Sequence, residues 1–230
     1  MLPSFRRETQ SARTWSTIQF NRKRRSGLAV KLTTDNEAWQ AASPAEAATW
    51  LSAVTARWWF AGGWALDLFM GEQSRPHADL DVGILRRDAP AVIAALPDWE
   101  FFEAKDGSLT PLHAGAAPRA SVNSLWCRPK NTESWKLEFM LDEGADGLWI
   151  YRRNSEIQRL FVTAVKRTAD GLRYLAPEIQ LLYKARHCRS RDHADFNLVT
   201  PRLDALALAW LRDALSRTDP GHTWLQAIQS

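Results

Sequence analysis

Apolar positions along this chain change period near its middle, and that change divides the sequence. Between residues 57 and 153 they fall in short runs or strict alternation, the signature of strands. Residues 57–61, Arg-Trp-Trp-Phe-Ala, read as a short buried strand. Leu80, Val82 and Ile84 alternate with Asp79, Asp81 and Gly83, so the first three are expected to face the core and the aspartates to share the other face. Trp135, Leu137, Phe139 and Leu141 alternate with Lys136, Glu138, Met140 and Asp142 in the same way, predicting a strand over 134–142. Further strands are expected over 99–104 and 147–153. Residues 109–130 read as irregular or hairpin-like, and 157–168 fit either strand or helix.

Helix signals are interleaved with these strands and then take over. Ser43 and Pro44 form a cap and a first-turn proline, with Glu46 at the positive end of the dipole, predicting a helix over 44–56. A helix over 64–70 should stop at Gly71, and Asp88-Ala89-Pro90 opens another that runs to about Leu96. From Pro177 onward the pattern is helical, over 177–188, 191–198, 202–217 and 223–229. Mixed elements followed by helices predict an α+β fold, a mixed sheet flanked by helices with a C-terminal helical part.

Composition narrows the setting. At 230 residues, 45% hydrophobic and 24% charged, the chain has the balance of a globular protein able to bury a core. No apolar run approaches the roughly 18–20 residues that span a bilayer, so no membrane partner is expected. Cys127 and Cys188 are the only cysteines, which excludes a disulfide scaffold and suits a reducing cytoplasm. The net charge of +4 is unevenly spread. Residues 1–34 hold eight Lys/Arg against one acid, Glu8, leaving 22 bases and 25 acids in the rest. The basic segment is therefore expected to be a disordered leader, and nucleic-acid binding is not favoured. Met70 is the next methionine after Met1, and the aperiodic leader fits an over-extended start, with the natural one near Val30.

The chemistry concentrates in residues 60–84. Two carboxylates on one strand face, Asp79 and Asp81, repel one another unless a cation lies between them. An oxygen-only pair suits Mg²⁺, which takes one or two carboxylates plus substrate phosphates. Gly62 and Gly63 sit ahead of them, where amides without side chains can approach phosphate closely. Glu138 stands mid-strand on a polar face, with Asp142 as its competitor for a third acidic role. Arg75 is a natural phosphate partner, or else the partner of Asp67 or Glu72. His77 either orients a carboxylate or fixes its loop. His187, Cys188 and His193 lack a second ligand pair at zinc spacing. Trp126 and Trp149 are candidates for an acceptor pocket.

Gly62-Gly63, a short helix and Asp-x-Asp on a strand resemble the signature of the DNA polymerase β-like nucleotidyltransferases. Ala-Gly-Gly-Trp-Ala-Leu-Asp, Arg75-x-His77-x-Asp79-x-Asp81 and the block over 174–185 are similar to the aminoglycoside 2''-adenylyltransferase and lincosamide nucleotidyltransferase branch. The resemblance covers roughly residues 44–205. It implies a nucleotidyltransferase α/β domain over 35–170 and a helical domain over 171–230. It also implies two Mg²⁺ ions on Asp79, Asp81 and an acid matching Glu138, with ATP or another nucleoside triphosphate as donor. Gly62, Gly63, Arg75, His77 and Lys184 would hold the nucleotide, and a hydroxyl-bearing small molecule would accept its monophosphate. The alternatives are a toxin-type nucleotidyltransferase acting on tRNA or protein, and a non-catalytic binding module with the same fold. Deleting residues 1–34 is expected to leave both the melting temperature and any catalysis unchanged, as thermal unfolding and turnover of the truncated chain will report.

Overall fold

The computed structural model describes residues 30–31 and 39–228. The rest of the basic leader therefore lies outside the described residues. Val30–Lys31 (β1) is the exception, pairing antiparallel with Ser108–Leu112 (β5) at one sheet edge.

The first half builds the sheet. Pro44–Trp50 (α1) starts with the expected cap: Ser43 Oγ accepts from the Glu46 amide at 3.3 Å, and Glu46 Oε2 accepts from the Ser43 amide at 2.9 Å. It is shorter than expected, closing in a 3₁₀ turn over Leu51–Ala53. Trp58–Phe60 (β2) leads into Gly62–Met70 (α2), which ends at Gly71 with φ +79°. Asp81–Leu85 (β3), Ala89–Ala95 (α3) and Trp99–Lys105 (β4) follow. Residues 109–130, read as irregular or hairpin-like, hold most of β5, the second arm of a hairpin with β4, and all of Ser124–Pro129 (β6), which pairs antiparallel with β4 and with Leu137–Ala145 (β7). β4 and β5 form a tight hairpin, with Lys105 opposite Ser108, while β6 returns to pair with β4 as far away as Trp99.

Leu148–Ile150 (β8) and Gln158–Leu160 (β9) extend from the far end of β7. The ambiguous stretch 157–168 resolves into β9, Phe161–Ala164 (α4) and Val165–Arg167 (β10). Arg173–Leu175 (β11) pairs with β10 and, through Tyr174 opposite Phe60, in parallel with β2. The sheet order is thus β1-β5-β4-β6-β7-β3-β2-β11-β10, and it includes a strand beyond residue 171. The helical part comprises Pro177–Ala185 (α5), Ser190–Val199 (α6), Ala205–Thr218 (α7) and Trp224–Ile228 (α8). Helices α5 and α6 both pack on α2. Among the described residues no helix is long and apolar enough to cross a membrane.

The alternation read from the sequence is the packing observed. Leu80, Val82, Ile84, Leu137, Phe139 and Leu141 are fully buried, and Trp135 nearly so. Each large side chain removed from water contributes about 1.5–3 kcal/mol, and a one-residue slip of β3 or β7 would turn this whole set outward. Gly83 fits the centre of β3 because Trp59 lies across it: a Cβ there would come within 2.1 Å of Trp59 Nε1. Gly83→Ala should therefore destabilise the protein by about 1–3 kcal/mol through overpacking, measured as a lower denaturant midpoint with an unchanged m-value.

Candidate active site

Strands β3 and β7 run parallel, and their register sets Asp81 directly beside Glu138. The pairing continues one residue upstream, where the Glu138 amide donates to Leu80 O at 2.9 Å. Asp79 stands on that lead-in, just before the strand begins at Asp81. On the other side the Ala61 amide donates to Asp81 O at 2.9 Å, which brings the first turn of α2 against the carboxylates. Gly62 has φ +62°, and a Cβ on it would fall 1.8 Å from Asp81 Oδ2. A Cβ on Gly63 would meet the His77 ring at 2.4 Å. The glycine pair is thus required by close approach as well as by the turn.

These residues surround a cavity of about 310 Å³. All eight expected site residues line it: Gly62, Gly63, Arg75, His77, Asp79, Asp81, Glu138 and Lys184. Burial raises the Asp81 carboxyl well above the usual range, the charges of Glu138 and Asp79 raise it further, and Lys184 and Arg191 pull it back. Glu138 is likewise raised by burial, opposed by a hydrogen bond from the Ser124 hydroxyl, raised by Asp79, and lowered by Trp126 and Arg152. Crowded carboxylates repel one another, and a cation between them would relieve that repulsion. Among the described residues, no three His, Cys, Asp or Glu side chains are gathered closely enough to cage a metal alone.

The partners of the supporting residues differ from those expected. Arg75 pairs with Asp195 of α6, through Nε to Oδ1 and Nη2 to Oδ2, both at 3.3 Å, and not with Asp67 or Glu72. Asp67 instead meets His77 Nε2 at 2.5 Å and accepts from Ser74 Oγ at 2.6 Å, fixing the loop before β3. Lys184 is buried, with Nζ 2.8 Å from Asp195 Oδ2 and 3.3 Å from Asp192 Oδ1. The Gly62 amide, expected to face phosphate, donates to Gln180 Oε1 at 2.8 Å. The following Gly63 amide remains in a first helical turn, where the helix itself supplies no acceptor.

Asp142 shares the polar face of β7 but is engaged elsewhere. It accepts from Trp149 Nε1 at 3.0 Å and from Tyr183 Oη at 2.7 Å, with Arg152 at 3.8 Å. Trp149 is accordingly a buried support, and neither it nor Trp126 lines the cavity. Cys188 Sγ lies 3.2 Å from His193 Nε2, whose Nδ1 accepts from Trp224 Nε1, while His187 turns into the cavity. Sequence reasoning missed Ser124, Gln180, Asp195 and the arginines Arg152, Arg189 and Arg191. Only Gln180 lay in a segment already singled out.

A family model for aminoglycoside-2''-adenylyltransferases matches residues 45–160, half of the chain. The chain belongs to this family. It is therefore a nucleotidyltransferase, as expected, and the alternative of a non-catalytic module falls away. The solution structure of the antibiotic-resistance factor ANT(2'')-Ia shares its fold: TM-score 0.51, 14% identity, covering 76% of this chain and 94% of that one. The lincomycin-bound lincosamide antibiotic adenylyltransferase LnuA also matches, at TM-score 0.46 and 18% identity over 66% of this chain and 90% of that one. ANT(2'')-Ia in complex with adenylyl-2''-tobramycin matches at TM-score 0.43 and 13% identity, over 81% and 94%. The comparison with curated proteins found no match.

In this adenylyltransferase-family protein the two candidate third acids separate by environment. Glu138→Gln should lower kcat by about a hundredfold or more with little change in melting temperature. Asp142→Asn should instead cost about 1–3 kcal/mol of stability through its lost hydrogen bonds. Steady-state kinetics and thermal unfolding of both variants will check this.

Proposed function

We infer that this protein transfers a nucleoside monophosphate, AMP from ATP, to a hydroxyl of a small molecule of the aminoglycoside-like or lincosamide-like kind. The observation that carries the reading is the cavity's charge division. Asp79, Asp81 and Glu138 supply its acidic wall, and Arg75, Lys184, Arg189 and Arg191 supply a basic one. A divalent metal and a polyphosphate together satisfy both walls, and neither does so alone.

Asp79 and Asp81, with Glu138, are the residues that would hold Mg²⁺, two ions in the full site. Bound there, the metal supplies charge neutralisation for the phosphates and for the departing pyrophosphate. The acceptor oxygen forms a bond to the α-phosphorus as the bond to the pyrophosphate oxygen breaks. Glu138, beside Asp81 on the neighbouring strand, takes the hydroxyl proton. Lys184 and Arg191 offset charge on the polyphosphate, and the Gly63 amide faces it. Arg75 and Asp195 hold the cationic wall in position. Both cysteines are free, which supports a cytoplasmic setting.

Asp79→Asn and Asp81→Asn should each reduce ATP-dependent pyrophosphate release by about 10³-fold, with the circular dichroism spectrum retained. Chelation of Mg²⁺ should abolish turnover, and its return should restore it. Wild-type rates in either Asn variant would remove the metal assignment.

A further inference from the structure

Helix α5 turns Gln180, Lys184 and His187 toward the cavity at i, i+4 and i+7, while Ile179, Leu181 and Leu182 are buried. Lys184 can meet a polyphosphate through its charge. Gln180 is neutral and only 7% exposed, in the first turn of the helix, where it meets the sheet half. A carboxamide taken out of water at that depth needs partners for both of its ends.

One end is accounted for. The Gly62 amide is a donor only, so the atom 2.8 Å from it must be the carboxamide oxygen, Oε1. That bond fixes the flip of the group and places Nε2 on the other arm of a rigid plane. Among the described residues Nε2 makes no hydrogen bond, and it is not sealed from the cavity that Gln180 lines. Its two N–H donors are thus held at the cavity without an acceptor.

The neighbours of that amide decide which acceptor fits. Gly62 stands against the acidic wall, since a Cβ on it would fall 1.8 Å from Asp81 Oδ2. Lys184 lies one helical turn further along the same face of α5. The carboxamide therefore stands between the acids that would hold metal and the cations that would meet polyphosphate. A lysine or arginine at this point would pair with Asp81 and compete with the metal for it. A neutral amide donates to a phosphate oxygen without that competition, and a hydrogen bond to an ionised acceptor is roughly twice as strong as one to a neutral acceptor.

We propose that Gln180 is a further nucleotide-binding residue: Oε1 braces the glycine turn through the Gly62 amide, while Nε2 donates to a phosphate oxygen of the bound nucleoside triphosphate. The proposal rests on the nucleotidyltransferase reading and deepens it. It also gives the engaged Gly62 amide a use. The phosphate is met by the carboxamide that this amide orients, and by the Gly63 amide beside it. Gln180 lies beyond residue 160, where the match to the family model ends, so this contact comes from the helical half.

The test is calorimetry on the full chain with Mg²⁺, titrated with α,β-methylene-ATP, tripolyphosphate and adenosine, for wild type, Gln180→Met and Gln180→Glu. Gln180→Met keeps the length and neutrality of the side chain and removes both polar ends. Gln180→Glu keeps an oxygen for the Gly62 amide and removes the donor. The nucleotide analogue and tripolyphosphate should each bind about tenfold more weakly in both variants, and adenosine equally in all three chains. Side-chain amide ¹⁵N NMR separates contact from a role confined to bracing the turn. The Gln180 NH₂ signals, assigned by their loss in both variants, should move downfield in the proton dimension when magnesium tripolyphosphate is added. Unchanged tripolyphosphate affinity in either variant, NH₂ signals that stay in place, or a loss that adenosine shares would overturn the contact. Failure of wild type to bind the nucleotide analogue would overturn the underlying reading, a result distinct from nucleotide binding that ignores the side chain at position 180.

Discussion

Two carboxylates on adjacent parallel strands impose the constraint around which this molecule is arranged. Asp81 and Glu138 are register partners, one interstrand spacing apart, in surroundings that disfavour their charge. Unrelieved, that repulsion would weaken the join between β3 and β7 at the heart of the sheet. The protein relieves it by bringing cationic side chains from α5 and α6 across the cavity and by leaving Gly62 and Gly63 open beside Asp81. Burial of Leu80, Val82, Phe139 and Leu141 on the opposite face holds the strands in register regardless. The apolar face supplies the energy that keeps the acidic face together.

The cationic side is itself braced by a chain of ion pairs. Arg75 from the loop before β3 meets Asp195; Asp195 meets Lys184; Lys184 meets Asp192; and Asp192 meets Arg189. Burial would raise Asp192, but hydrogen bonds from Arg189 and the nearby Lys184 outweigh it and hold the carboxyl at about 2. Buried pairs of this kind return little net stability, because desolvation offsets their attraction. Their effect is geometric. They fix long, flexible side chains from the sheet half and the helical half at the mouth of one cavity, so that the site is complete only when the halves are packed.

The acidic side of the cavity and most of its basic side are therefore carried by different parts of the chain. The glycine turn, Asp79, Asp81 and Glu138 all fall within residues 45–160, where the family model matches. Lys184, Arg186, Arg191 and Asp195 follow it. Membership of the family consequently speaks to the reaction more than to the molecule that receives the nucleotide.

The sequence by itself determined the acidic face and its opposite apolar face, because a two-residue period forces that division wherever one side is buried. It also determined the glycine turn, the α1 cap and the stop at Gly71. Each of these is a local rule acting over a few residues. Only the tertiary structure decided that β6, within residues 109–130, lies beside β7 and that Asp142 is consumed by Trp149 and Tyr183. It alone paired Arg75 with Asp195 and engaged the Gly62 amide with Gln180. Those outcomes join residues far apart in the chain, 118 positions in the case of Gly62 and Gln180. No periodicity or cap encodes which distant partner a buried polar group will find; that choice is made when the helices close on the sheet.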